Sequence, residues 1–137
     1  MKRLLIATLL LVLQWGCASK KPETLVVPMS YFYAASALAV DDSGRAREFL
    51  KALASESTGD LKTQAHSAAV ASDIAAMRVL FKGLTEGVVV NMSYPDDYAV
   101  AFCPMYKNGS KWIQKREAPI ANPYLGKSKP ACGSFVD

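Results

Sequence analysis

Cys103, Met105 and Cys132 carry the softest donor atoms in the C-terminal part of this 137-residue chain. Cys103-Pro104-Met105 places a thiol and a thioether two residues apart, and thiolate with thioether is the ligand class that selects Cu(I) over harder divalent ions. Cys132 could close the same site from the far side of the intervening loop. The competing outcome is a disulfide, because paired cysteines in an oxidising compartment usually bond. A Cys103–Cys132 bridge would close a loop of about 30 residues and contribute about 3 to 4 kcal/mol. Taken alone, the residues favour the disulfide, and composition does not separate it from a reduced metal site.

His66, the only histidine, falls four residues before Val70 and extends an apolar helical seam, so it is a candidate fourth ligand. A lone histidine on such a face is more often packed or half-exposed than metal-bound. Trp112, Asn122 and Tyr124 are candidate lining residues, since an aromatic face can shield a soft ion or contact a cation. Met77 and Met92 read as core. Catalysis is not expected: Cys103 with His66 is the best nucleophile and base on offer. No Ser-His-Asp order, phosphate loop or paired-histidine metal motif is present.

The elements that must position these residues begin with an export signal. Lys2 and Arg3 precede the apolar run 4–13 and the small-residue ending Gly16-Cys17, the order of a signal peptide. The run is too short for a membrane span, which needs about 20 residues. Gly16 before Cys17 resembles a lipobox, giving a lipid anchor at Cys17, while cleavage after Ala18 would instead yield a secreted protein. On the lipoprotein reading residues 1–17 form the signal, 18–28 a tether, and 29–137 a single domain, expected on either reading in the periplasm or at the outer membrane. Removing Lys2 and Arg3 from the 16 basic residues leaves 14 against 12 acidic, a net +2 with no basic stripe, so no nucleic-acid partner is expected.

Residues 29–40 are rich in Ala, aromatic and Leu side chains and predict a helix. Asp41-Asp42-Ser43 then offers N-cap side chains for a second helix with Ala46, Phe49, Leu50 and Leu53 on one face. From Asp60 onward, Val70, Ile74, Met77, Phe81, Leu84 and Val88 recur at spacings of four and three, predicting one long helix weakened at Gly83 and Gly87. After Tyr94-Pro95, prolines and glycines punctuate the chain, leaving room for short strands near 99–103 and 112–114. The expected fold is mainly α: a bundle of three to four helices with an irregular, turn-rich C-terminal cap containing two short strands.

Cys103-Pro104-Met105, Trp112, Asn122-Pro123-Tyr124-Leu125-Gly126 and Cys132-Gly133 together resemble a bacterial domain-of-unknown-function family. It occurs as small exported proteins and fused to periplasmic adaptor subunits of copper and silver efflux pumps. The likeness spans most of the chain after the signal and is most specific in this ordered C-terminal pattern. It implies a helical domain that handles Cu(I) or a related soft metal outside the cytoplasm. Cys103, Met105 and Cys132 are the matching ligands, and an efflux adaptor or another copper-handling protein is the implied partner. The chain departs from the family at Lys129-Pro130-Ala131, where members often carry a Met-Leu pair, and at Leu125, where an aromatic is usual. A metal-free, disulfide-stabilised envelope module is the alternative.

Overall fold

The computed structural model describes residues 25–136. The signal and Cys17 lie outside them. The fold is mainly α with a small three-stranded antiparallel sheet. Four helices run in order: α1 (Met29–Ala39), α2 (Ser43–Glu56), α3 (Gly59–Ala69) and α4 (Ile74–Asn91). Strands β1 (Tyr98–Cys103), β2 (Ser110–Lys115) and β3 (Ser134–Phe135) follow, with a 3-10 turn at Gly126–Ser128. Each helix packs on the next, and α4 and α1 lie against β2, so the sheet closes the bundle.

The tether ends sooner than expected. Val27 is buried and its amide donates to the Ser93 carbonyl (2.9 Å), while Ser93 N donates to the Leu25 carbonyl (2.9 Å). Residues 25–28 therefore belong to the folded body, held against the segment that leaves α4.

The long helix predicted from Asp60 is two helices. Val70, placed in the apolar seam, is 61% exposed, and the chain turns at residues 70–73 before α4 starts. Asp73 explains the restart: its Oδ1 accepts from Ala76 N at 2.8 Å, satisfying one of the amides left free at a helix start. Arg47 explains the stop, since its guanidinium donates to the carbonyls of Ala69 and Ala71 at the end of α3. A side chain from α2 thus ties down the break. From Ile74 onward the seam is as predicted, with Met77, Phe81, Leu84 and Val88 buried on one face of α4. The helix runs through Gly83 and Gly87 without interruption.

Both predicted strands form, each slightly longer than expected, and β1 lies centrally between β2 and β3. Asp41, at φ 59°, and the Asp42 cap on Arg45 N (3.0 Å) separate α1 from α2. The core joins the helices to the sheet through Tyr31, Leu38, Leu50, Phe81, Trp112 and Ile113, all fully buried. Fully burying each such side chain is worth about 1.5–3 kcal/mol.

Candidate functional site: a two-sulfur cluster at the end of the sheet

Cys103 is the last residue of β1 and is fully buried. The hairpin from β1 to β2 turns through Lys107, Asn108 and Gly109, all at positive φ (45°, 62° and 102°). A side chain at Gly109 would put its Cβ 2.7 Å from the Phe102 ring, so the tight turn requires glycine there.

Cys132 arrives from the opposite direction. In β3, Ser134 pairs with Phe102 and Phe135 with Ala101, which brings Gly133 and Cys132 alongside the end of β1. Gly133 sits at φ 133°, and a Cβ there would lie 2.6 Å from Trp112 Cη2 and 2.9 Å from the Phe102 carbonyl oxygen. Only glycine lets the chain pass this close under the indole. The Cys-Gly pair is thus a geometric unit: glycine makes the approach and cysteine lands on its partner. Cys103 Sγ and Cys132 Sγ are 2.7 Å apart, both as free thiols, with Cys132 half-buried.

Burial works against a thiolate at Cys103, but hydrogen bonds outweigh it. The Cys132 thiol, the backbone amides of Met105 and Tyr106 and the Asn122 side chain bring its pKa below that of an ordinary thiol. Cys132 is pushed up, first by its hydrogen bond to Cys103, then by desolvation and the neighbouring negative charge, with Lys129 opposing. Of the two thiols Cys103 is therefore the first to ionise, and its charge disfavours a second on Cys132. Met105 is exposed on the hairpin, its sulfur 3.9 Å from Lys129 Nζ.

The remaining motif residues build the frame. Asn122 is fully buried, and its Oδ1 accepts from Tyr124 N (2.8 Å) and Leu125 N (3.0 Å) while its Nδ2 donates to the Cys132 carbonyl (2.7 Å). One side chain thus folds its own loop and ties it to Cys132. Tyr124 donates its hydroxyl to the Lys111 carbonyl (2.5 Å), stacks on Tyr106 (5.0 Å between centroids) and meets Trp112 edge-on (6.2 Å). Trp112 Nε1 donates to Gln114 Oε1 at 2.8 Å. Trp112, Asn122 and Tyr124, expected as site lining, act mainly as this scaffold.

Sequence reading offered Asp41 only among N-cap side chains and gave neither it nor Arg78 a role at this site. Arg78 donates to the Pro123 carbonyl (2.8 Å), the Leu38 carbonyl (2.7 Å) and Asp41 Oδ1 (2.5 Å), pinning the Asn122–Gly126 loop to the α1–α2 turn. At Gly126, φ 54°, a Cβ would lie 1.9 Å from Asp41 Oδ1, so the loop rests directly on that ion pair. The sequence signal was an Arg on an otherwise apolar stretch of helix, which has no visible partner until the turn folds back.

The structure does not bring His66 to the sulfurs. It is exposed on α3, which packs between α2 and α4 and not on the sheet. Among the described residues no three His, Cys, Asp or Glu side chains gather around a possible metal position. An ion here would rely on Cys103 and Cys132, with the Met105 thioether as the nearby soft donor. That donor set fits Cu(I) and fits harder ions poorly.

No family model, no curated protein and no solved structure matches this chain.

Proposed function

We propose that the chain is an exported soft-metal binding protein that holds Cu(I) through Cys103 and Cys132, with Met105 as the third donor. The observation carrying this reading is the meeting of the two sulfurs at 2.7 Å from segments 29 residues apart, with Met105 at the same end of the sheet. Amides of Met105 and Tyr106 directed at Cys103 favour the thiolate that a soft metal requires. The thiols must move apart to admit an ion, and Cys132, half-buried in the irregular segment just before the two-residue strand β3, is the side that can yield. His66 has no part in the site. The reading includes lipid anchoring at Cys17, residence in the periplasm or at the outer membrane, and delivery to an efflux adaptor or other copper-handling partner. It includes no turnover of substrate.

Anaerobic titration of the reduced protein with Cu(I) against a competing chelator tests the reading. Competition should be lost in the Cys103→Ser, Cys132→Ser variant; absence of competition in the parent would refute the proposal.

The 2.7 Å contact also favours a second reading, a metal-free module stapled by a Cys103–Cys132 disulfide. Intact mass decides between them. Protein isolated from the periplasm without reductant would then be metal-free and two hydrogens lighter than the dithiol.

A further inference from the structure

Away from the sulfurs, a cleft of about 440 Å³ opens between the chain entering α1, the α2–α3 turn and the C-terminal half of α4. One side of it is apolar, formed by Leu25, Val26, Leu61, Leu84, Val88 and Met92, and the α2–α3 turn supplies polar groups on the other. Its size falls within the range of small-ligand sites, roughly 300–1,000 Å³. Ser57, which lines it, is 9% exposed, and its hydroxyl oxygen is buried without a hydrogen-bond partner. A buried orphan hydroxyl costs free energy unless something in the cleft satisfies it.

Charge selects the ligand. Glu56 and Asp60 flank Ser57 along the lining, and among the described residues no Lys, Arg or His lines the cleft. The start of α3 would on its own attract an anion, but Asp60 in its first turn already supplies that negative charge. Glu56 Oε2 accepts from Ser30 Oγ (2.6 Å), which holds the carboxylate in place. We infer that this cleft binds an amphiphilic primary amine, its alkyl chain between Leu61, Leu84 and Val88 and its ammonium donating to Ser57 Oγ and facing Glu56 and Asp60.

Gly87 provides the test, because it lines the cleft and a Cβ there meets nothing within 4 Å. Gly87→Phe starts from this open position and carries a ring into the cleft's space, while Gly87→Ala adds only a methyl group and leaves most of it open. Octylamine should bind the exported protein saturably in calorimetry, and octanoate, equal in chain length but opposite in charge, should not. Gly87→Phe should abolish octylamine binding and Gly87→Ala should retain it. Ser57→Ala should weaken it about tenfold to a hundredfold, the usual effect of losing a hydrogen bond to a charged group. The Cys103→Ser, Cys132→Ser variant should bind octylamine as the parent does, which separates this site from the metal proposal. No saturable binding, preference for octanoate, or indifference to both Gly87→Phe and Ser57→Ala would overturn the inference.

Discussion

Replacing Asn122 by alanine should unfasten the sulfur site from its scaffold. Besides its hydrogen bond to Cys103, the side chain makes three to backbone groups from a fully buried position: two accepted from Tyr124 N and Leu125 N, and one donated to the Cys132 carbonyl. At a net contribution of about 1 kcal/mol each, their loss removes about 3 kcal/mol. Any of the three backbone groups left buried without a partner adds to that figure. Since small domains hold only about 5–15 kcal/mol in total, the variant should remain folded but unfold at clearly lower denaturant. Urea unfolding of the reduced protein, followed by Trp112 fluorescence, measures the change, with an unaltered slope confirming that both proteins lose the same surface. Cu(I) affinity should fall in parallel, because the Cys132 backbone loses its tether. A stability loss below about 1 kcal/mol together with unchanged metal competition would refute the assignment of Asn122 as the clamp.

Other expectations follow from the same geometry. Gly133→Ala should destabilise the protein by about 2 kcal/mol or more, since φ 133° strains an L side chain and its Cβ meets both Trp112 and the Phe102 carbonyl; a perturbed Trp112 emission would report the displaced indole. Cys132→Ala removes a hydrogen bond that favours the Cys103 thiolate, so the Cys103 pKa should rise, seen as a shift of its ultraviolet thiolate absorbance to higher pH. The hydrogen bond from Arg78 is the largest cause holding the Asp41 carboxyl below its usual range. Its stabilising contribution is therefore complete above the ordinary Asp pKa of about 3.9 and is lost as pH falls through the lower folded value. Asp41→Asn should be less stable than the parent at neutral pH, with the gap between their urea midpoints closing in acid; a gap independent of pH would contradict the ion pair.

How far these features were legible in the sequence depended on whether their causes were local. Helix periodicity located Met77, Phe81, Leu84 and Val88 correctly, because one buried face repeats at the helical period whatever it packs against. The same rule failed at Val70, where the chain breaks for reasons held elsewhere: Arg47 of α2 caps the carbonyl end of α3, and Asp73 restarts the helix. Proline and glycine punctuation around short segments marked β1 and β2, whereas β3 is two residues long and exists only through its pairing with Ala101 and Phe102. Among the site residues, Cys103, Cys132 and Met105 were legible by chemical type, and the structure brings the two thiols together. His66 was misplaced by the same extended seam that misplaced Val70. Asn122 and Tyr124 were recognisable as a motif, but their role as a clamp depends on carbonyls of Cys132 and Lys111 that no spacing rule reveals.

The central claim is that the two touching thiols bind a soft metal, and Cu(I) titration of the reduced protein against a competing chelator addresses it most directly. The account predicts saturable competition that weakens in Met105→Leu and disappears in Cys103→Ser, Cys132→Ser. A parent protein that never competes, or a double variant that competes as well as the parent, would contradict it.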